Sequence, residues 1–352
     1  MKLISLNKNN WDDYLNLFPL YAQDLYYCYG YYKIYERNGD GVAECLFFEE
    51  NGNIAMYPFL RNSINKLGFS LDNEYFDVQG AYGYNGIISN TNDPDFIKSF
   101  YFSFSNYCND NNIVAEFTRF NPNLNNHIFS KGWMNVFFDR KTISLDLTPP
   151  KEEIWKNSYS SKNRNMIRKA LKNEVEIFTS NKKDDYAIFF SIYKQTMINV
   201  NAKSYLYFNE EYFYNFLNFL PKNHELVLAK YNNQIVGGMI LLFNKNFAHY
   251  HLSARLFEYG TLALNNLFLD YSINLAKEKK CKTFHFGGGT TGNTKDPLLK
   301  FKMNFSNETK DFYFGKKIHN KKIYNKIINE WKCSNYMSYK LNKNLLLGYR
   351  EN

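Results

Sequence analysis

The amino-acid sequence predicts an α/β protein made of two tandem copies of one domain, each a mixed, mostly antiparallel sheet flanked by helices. A hairpin pattern occurs twice, the same order of strand and helix patterns follows each hairpin, and the second copy contains a glycine-rich turn. The 352 residues suffice for two domains with their own cores. We predict domains at residues 1–150 and 151–352, the second ending in a basic helical tail.

Two segments carry the signature of a β-hairpin. The first, ECLFFEENGNIAMYPFLRN, starts at Glu44, and the second, ELVLAKYNNQIVGGMILLF, starts at Glu225. In each, two β-rich runs flank an Asn-Gly or Asn-Asn pair, and Asn-Gly is the strongest short hairpin signal. The turn residues Asn51 and Asn232 are 181 residues apart (232 − 51), as are the two glutamates. Such repetition predicts a duplicated domain.

The patterns that follow the two hairpins match in order. In the first copy, helical periodicity marks DPDFIKSFYFSFSNYCNDNN, and a buried strand is indicated by IVAEFTRF. In the second copy, the corresponding helix is TLALNNLFLDYSINLAKEKK and the corresponding strand is CKTFHF. Each strand precedes a short helical stretch ending in an aromatic residue, HIFSKGW or LLKFKMNF, and then a last strand, KTISLDL or DFYFG. Pro149 and Pro150 mark the predicted connection between the copies.

Composition limits the class of protein and of partner. Hydrophobic residues are 45% and charged residues 22%, as in a folded globular chain. The net charge of +9 favours anionic partners such as nucleic acid, phosphorylated substrates or anionic lipid. From Lys316 onward, nine Lys and Arg residues accompany two acidic residues, although charge runs are more often solvated helix faces.

Cysteine usage and hydropathy predict a cytoplasmic location. The five cysteines are far apart and lack zinc-site spacing, so we expect reduced thiols. The start of the chain does not resemble a signal peptide, and we expect no transmembrane segment because no apolar run approaches the length of a membrane span.

The stretch FHFGGGTTGNTKDPLLKFK contains a glycine pattern. Gly287, Gly289 and Gly292 satisfy G-x-G-x-x-G, the dinucleotide-binding fingerprint. That fingerprint belongs after the first strand of a βαβ unit, whereas this one lies late in the second copy with too little chain after it. A phosphate loop would require Gly-Lys-Ser/Thr, which is absent. The sequence therefore argues against a dinucleotide or P-loop site.

Two compatible interpretations of this turn stay open. In the first, the absence of side chains at the three glycines gives the backbone room for a sharp turn. In the second, the N–H groups of these glycines, Gly287, Gly288 and Gly289, form an anion-accepting concavity beside the next helix. Asp296 and Pro297 fit the N-cap and first position of that helix.

The strand pattern AHYHLSA supplies further candidates. Strict alternation would place His249, His251 and Ser253 on one face and Tyr250 and Leu252 on the other. A histidine there could serve as a general base or be structural. No third ligand accompanies the H-x-H pair, so we predict no metal site.

A basic helix face and three tyrosines are further candidates. Arg164, Arg168 and Lys172 share a helix face in SSKNRNMIRKALKN, which is either solvated or a phosphate clamp, and Ser160 or Ser161 is the expected cap. Aromatic rings with hydroxyl groups suit sugar or peptide ligands. The tyrosines expected to contact a ligand are Tyr82 and Tyr84, in DVQGAYGYNG, and Tyr205, in TMINVNAKSYLYF. Tyr82 and Tyr84 could equally pack at the domain interface.

Together these motifs resemble the Fem-type branch of the GNAT acyltransferase superfamily, whose members transfer amino acids onto peptidoglycan precursors. The resemblance covers nearly the whole chain, and its signatures are YFDVQGAYGYNGII, SSKNRNMIRKA, AHYHLSA and FHFGGG with LLKFKMNFS. It implies two tandem GNAT-like domains. It also places Phe301 and Lys302 at the acyl-transfer site, where the lysine helps bind the donor and stabilises developing negative charge. The alternative for Lys302 is an exposed helix lysine.

The resemblance leaves the donor open. Standard GNAT enzymes bind the acyl-CoA pyrophosphate with Q/R-x-x-G-x-G/A, whereas SARLFEYGTLALNN offers Arg255 and a single glycine, Gly260. Fem-type enzymes share this departure and use aminoacyl-tRNA. The expected donor is therefore acyl-CoA or aminoacyl-tRNA, with no tightly bound cofactor. No heptad insert is present, so tRNA binding by a long coiled-coil arm is excluded.

The sequence thus predicts an acyltransferase that forms an amide by direct attack of an acceptor amine. The expected acceptor is a cell-envelope precursor, either peptidoglycan or a surface-glycan amino sugar, as a small molecule or linked to a nucleotide or lipid. Candidate further partners are tRNA and, peripherally, a membrane. The alternative is a catalytically degenerate GNAT pair that binds RNA or an anionic glycan.

Overall fold

The computed structural model describes residues 2–351, which divide into two compact units. The first unit contains residues up to 22, residues 26–139 and residues from 312 onward, and the second contains residues 23–25 and 140–311. This division differs from the predicted one in the place of the basic tail, which belongs to the first unit. Near its end, the Tyr349 hydroxyl donates to Asp77 Oδ2 at 2.8 Å, and Arg350 Nε donates to both Asp77 oxygens at 2.9 and 2.8 Å.

The first unit is built on a mixed sheet. Its strand order is β1-β2-β3-β4-β6-β13, with β5 paired to β3. All of these pairs are antiparallel except β4 with β6, which is parallel. The strands are β1 (Lys2–Ser5), β2 (Val42–Glu50), β3 (Asn53–Ser63), β4 (Phe76–Gln79), β5 (Ile88–Ser89), β6 (Ile113–Arg119), the start of β7 (Asn135–Asp146) and the end of β13 (Glu308–Ile318).

Helices cover this sheet, as the periodicity predicts. Asp93 caps α3, accepting from the Asp95 N–H at 3.0 Å, and Pro94 follows at the first position. Phe96, Phe100 and Phe104 form a buried stripe along it that packs in the unit's core. The helices are α1 (Trp11–Leu15), α2 (Tyr29–Asn38), α3 (Pro94–Asp110), α10 (Lys321–Ser334) and α11 (Tyr336–Asn342).

Both predicted hairpins are confirmed. β2 and β3 are joined by Asn51 (φ 51°) and Gly52 (φ 80°). In the second unit, β9 (His224–Tyr231) and β10 (Gln234–Asn244) are joined by Asn232 (φ 48°) and Asn233 (φ 64°). Two successive residues with positive φ match the twist of a two-residue hairpin, which explains the asparagines and glycine at these positions.

The second unit has its own mixed sheet, in the order β7-β12-β11-β10-β9-β8. Its first strand is the later part of β7, which lies before the predicted boundary: residues 142–146 pair antiparallel with β12. β11 and β12 are parallel neighbours. The remaining strands are β8 (Glu176–Ser180), β11 (Phe247–Arg255) and β12 (Thr283–Gly288).

The helices of the second unit confirm two predicted caps. The Ser160 hydroxyl accepts from Asn163 N–H at the start of α5, and Asp296 caps α9 with Pro297 at its first position. Among residues 2–351, we find no helix with the length and apolar character of a membrane span. The helices are α4 (Lys151–Glu153), a π-helical turn (Ile154–Ser158), α5 (Ser161–Lys172), α6 (Lys183–Asn199), α7 (Glu210–Phe219), α8 (Leu264–Glu278) and α9 (Pro297–Met303).

Candidate active site

A wedge opens in the sheet of the second unit where β11 and β12 part. The two strands pair as far as His249 and His285; beyond these residues β11 continues along β10, and β12 continues along β7. Lys302, from α9, lies in this wedge with only 5% of its surface exposed. Its Nζ donates to the Gly288 carbonyl of β12 at 2.6 Å and lies 5.3 Å from the centre of the Tyr250 ring on β11. The amine therefore bridges the two diverging strands.

Lys302 is thus not an exposed helix lysine, which was the alternative interpretation. Lys300, two residues earlier on α9, is exposed. Burial lowers the pKa of Lys302 to about 7, with Asp296 opposing the shift and Arg140 adding to it. Near neutral pH this amine can therefore exist both with and without its proton.

The glycine turn is shaped by one carboxylate, that of Asp296. Gly287 has a φ of +74°, and a Cβ on Gly289 would lie 2.5 Å from Asp296 Oδ1. The same carboxylate accepts from the hydroxyls of Thr290 and Thr291 at 2.6 and 3.0 Å, and from the Thr291 N–H at 2.9 Å. It also caps α9 through the Leu298 and Leu299 N–H groups. These contacts support the interpretation that the glycines make room for a sharp turn.

The Asp296 carboxyl stays ionised despite being buried. Burial by itself would raise the pKa, but hydrogen bonds from Thr290, from the backbone N–H groups of Leu299 and Thr291, and from the Thr291 hydroxyl hold the pKa of Asp296 well below its usual range. Asp296 thus supplies fixed negative charge that raises the pKa of Lys302.

The carbonyl groups of the turn contact cations. Gly288 O accepts from Lys302, and Gly289 O accepts from Arg140 Nη1 at 2.9 Å. An anion at this turn would therefore meet two side-chain cations. The anion-accepting role of the bare N–H groups of Gly287 to Gly289 stays a prediction.

Sequence reasoning missed Arg140. It lies in the strand assigned to the first predicted domain, and the pairing of β7 with β12 brings it to Gly289. Arg140 directly precedes the KTISLDL strand, which a comparison of the two copies could have singled out. However, Arg140 and Gly289 are 149 residues apart in the sequence, and pairing between strands so far apart leaves no local signal.

The predicted alternation along AHYHLSA is wrong past His251. The pairing of β11 with β10 shifts between Ile240 and Leu241, so that His251 is an extra residue in a β-bulge. The Tyr250 hydroxyl is consequently within 2.6 Å of Ser253 Oγ, although strict alternation places these two residues on opposite faces. The bulge thus joins Tyr250 and Ser253 on the side that faces Lys302.

The histidines of this strand are buried and hydrogen-bonded. His249 Nε2 lies 2.8 Å from Asp24 Oδ1, and His251 Nε2 lies 2.9 Å from the Tyr212 hydroxyl. Burial, with a smaller contribution from His249, lowers the pKa of His251 to about 3, which makes it a weak base. His285, which sequence reasoning also missed, lies beside His249 with ring centres 5.9 Å apart.

Of the three cations on the predicted basic helix face, Arg164 is engaged by backbone carbonyls and the other two are exposed. Arg168 and Lys172 are exposed, and the Arg168 guanidinium lies 5.5 Å from the Trp155 ring. Arg164 instead closes the π-helical turn by donating to three backbone carbonyls, those of Trp155, Lys156 and Tyr159. A phosphate-clamp role stays a prediction, with Arg168 and Lys172 as its available cations.

The remaining predicted site residues are divided between the two units. Phe301 packs on the core of the second unit, with its ring 5.8 Å from that of Phe305. Tyr205 is 55% exposed in a short 3-10 turn of the same unit. Tyr82 and Tyr84 belong to the first unit, where Tyr31 donates to the Tyr82 carbonyl and the Tyr84 ring packs on Tyr26. Their proposed ligand contacts stay predictions.

Comparisons with known proteins agree with this architecture. The model of the FemAB family matches residues 108–235, and no curated protein matches the sequence. A structure of FemX is 14% identical with a TM-score of 0.70, covering 92% of this chain and 99% of that chain. L-PGS from Bacillus licheniformis is 13% identical (TM-score 0.55, covering 88% and 91%). A tandem GNAT protein from the clavulanic acid biosynthesis pathway is 9% identical (0.54, covering 91% and 98%). At such identities these structures show the fold, and they confirm the predicted tandem GNAT-like architecture.

Proposed function

We propose that this chain, which has the tandem GNAT fold, is a Fem-like acyltransferase that joins an activated aminoacyl or acyl group to an amine of a cell-envelope precursor. The observation that carries the proposal is the buried amine of Lys302 in the wedge between β11 and β12. The Fem resemblance supports an acceptor from peptidoglycan or surface-glycan synthesis.

The proposed reaction needs no covalent enzyme intermediate. The acceptor nitrogen attacks the carbonyl carbon of the donor ester or thioester, a C–N bond forms, and the carbonyl oxygen becomes an oxyanion. Collapse breaks the bond to the leaving oxygen or sulfur, and the proton lost from the attacking amine balances the charge on the leaving group. A fixed ammonium stabilises the oxyanion strongly in a water-poor site. Lys302 is the side chain we assign to this role, with Arg140 adding positive charge at the same turn.

The turn before α8 favours an aminoacyl ester over acyl-CoA as the donor. Arg255 Nη1 donates to the carbonyls of Leu256 and Phe257 at 3.2 and 3.1 Å, and a Cβ on Gly260 would lie 3.0 Å from the same nitrogen. The guanidinium therefore occupies the inside of this turn. A pyrophosphate needs an open glycine-rich turn with free N–H groups at a helix N-terminus.

A donor comparison tests the proposed function. The protein is incubated with a nucleotide-linked muramyl peptide or amino sugar, together with either a mixture of aminoacyl-tRNAs or acetyl-CoA, and the acceptor mass is measured. We expect an added aminoacyl mass from the tRNA mixture. Transfer from acetyl-CoA alone would contradict the donor assignment. Tight RNA binding without transfer to any acceptor would instead favour the binding-protein alternative.

The pH dependence of transfer is expected to report on Lys302. If the ammonium form is required, the single-turnover rate falls as the pH rises through about 7, because burial places the pKa of Lys302 there. Lys302→Arg, which stays protonated, removes this alkaline limb, and Lys300→Arg on the exposed side of α9 leaves it unchanged. A wild-type rate that rises through pH 7 and collapses in Lys302→Arg would show that Lys302 acts as a base instead.

A further inference from the structure

One face of α11 in the first unit exposes large apolar side chains beside lysines. Tyr336, Met337, Lys340 and Leu341 lie at helix positions i, i+1, i+4 and i+5, which form one face, here called the α11 outer face. Tyr336 is 58% exposed, Met337 67% and Leu341 77%. Leu345, three residues past the helix, is 49% exposed. Large apolar side chains exposed together on one helix face are typical of a binding surface.

The α11 outer face is held in place from within its own unit. The Asn335 side chain caps α11, accepting from the Ser338 N–H at 3.1 Å, and the Ser338 hydroxyl donates to the Glu351 carbonyl at 2.6 Å. On the inner side, the Tyr339 ring packs edge-on against Trp331 of α10, with ring centres 5.2 Å apart, and Trp331 is fully buried. The exposed side chains thus belong to an anchored helix rather than to a frayed chain end.

Positive charge surrounds this apolar group. Lys332 precedes α11, Lys340 lies within its outer face, and Lys343 follows it, all three exposed. The segment from Lys316 onward holds nine Lys and Arg residues against two acids. These two acids are Glu330, which accepts from the Ser70 N–H at 2.9 and 3.2 Å, and Glu351, whose backbone carbonyl contacts α11, so lysines outnumber acids around this face.

We propose that the α11 outer face docks on an anionic membrane surface. Apolar side chains that enter the acyl boundary, flanked by lysines that meet anionic headgroups, are the two contributions that bind amphipathic helices at interfaces. RNA would use the lysines but gain little from Met337, Leu341 and Leu345, which neither stack on bases nor hydrogen-bond to them. A symmetric contact with a second copy would bring the lysine-rich surfaces of both copies together, which is unfavourable.

This inference goes beyond the proposed function and stands on the geometry of the first unit. It also bears on the acceptor, since an enzyme docked in this way meets its substrate at the membrane when that substrate is lipid-linked. Membrane docking and transfer are separate measurements, so either can fail while the other stands.

Co-sedimentation with vesicles tests the docking. The full chain is mixed with vesicles of phosphatidylcholine and phosphatidylglycerol, or of phosphatidylcholine alone, at low and high salt. We expect binding to the anionic vesicles that weakens with salt. The double variant Met337→Ser/Leu341→Ser should bind at least about tenfold more weakly, because two apolar side chains no longer enter the lipid. Lys340→Glu/Lys343→Glu should lose a similar factor on anionic vesicles, since each lysine near an anionic surface adds appreciable affinity.

The matched control is Leu171→Ser/Ile198→Ser in the second unit, which removes two apolar side chains of comparable exposure and should leave vesicle binding unchanged. Circular dichroism and a melting curve establish that each variant is folded. The proposal is overturned if the wild type does not bind anionic vesicles, or if the serine variant binds as well as the control. It is also overturned if the serine variant only dissolves a dimer, or if the lysine variant loses tRNA binding while vesicle binding persists.

Discussion

Lys302→Met is expected to remove most of the transfer activity and to stabilise the protein at the same time. Loss of one group that stabilises an oxyanion typically lowers kcat by about 10²–10³-fold. Burying an amine that prefers its charged form costs free energy, and an apolar side chain of similar volume removes that cost, often with a gain of about 1–4 kcal/mol. Single-turnover rates and denaturant unfolding of the purified variant measure the two effects.

The stability gain should depend on pH in a defined direction. Unfolded, Lys302 keeps its proton up to its ordinary pKa near 10.5, whereas in the folded protein burial lowers that pKa to about 7. Between these values the unfolded state binds more protons, so the contribution of Lys302 to the free energy of unfolding rises with pH. The advantage of Lys302→Met over the wild type should therefore be largest below pH 7 and shrink toward pH 10.

Lys300→Met is the matched control because it makes the same change on the exposed side of α9. We expect it to leave both the rate and the pH dependence of stability close to those of the wild type. Equal effects of the two substitutions on the rate would show that the buried position of Lys302 has no part in transfer.

Asp296→Ala is expected to destabilise the second unit and to reduce transfer. The substitution removes the cap of α9, so the buried Leu299 N–H loses its acceptor, and it also removes the hydrogen bonds from the exposed Thr290 and Thr291. Loss of an N-cap costs about 1 kcal/mol, and each buried donor left unpaired adds about 1–3 kcal/mol. We therefore expect a loss of roughly 2–4 kcal/mol in the free energy of unfolding, measured by urea denaturation.

Asp296→Asn tests the negative charge of this side chain separately from its role as the N-cap of α9. Asparagine is a good N-cap and retains an acceptor for the α9 N–H groups, but it lacks the negative charge that raises the pKa of Lys302. The alkaline limb of the transfer rate should therefore move to lower pH, while stability falls less than in Asp296→Ala. An unchanged limb in this variant would mean that the limb belongs to another group.

Much of the fold could be predicted because its signals are local. The asparagine turns, the buried stripe of α3 and the caps at Asp93, Ser160 and Asp296 each depend on residues within a few positions of one another. Because turns, helix faces and caps depend on neighbouring residues, hydrophobic periodicity and turn-forming residues identify them in the sequence. The duplication then gave the order of the elements.

The site was less predictable because it depends on pairing between distant strands. The pairing of β7 with β12 joins Arg140 to Gly289, 149 residues away. The bulge at His251 reversed the expected side of Ser253, since one extra residue changes the face of every later side chain. Arg164 had the right type and spacing for a phosphate clamp, yet its guanidinium closes a backbone turn.

Lys302 shows which properties of the site follow from the sequence and which follow only from the tertiary structure. The sequence by itself determined a duplicated α/β chain, the glycine turn and a capped helix carrying Phe301 and Lys302, because each follows from local backbone preferences. Tertiary structure alone decided that Lys302, rather than Lys300, is buried between β11 and β12, and burial is what lowers its pKa to about 7. A lysine two residues away has the same side chain and an ordinary solvated surrounding, so the chemistry of the site comes from desolvation and from the charges of Asp296 and Arg140, which only the folded chain brings together.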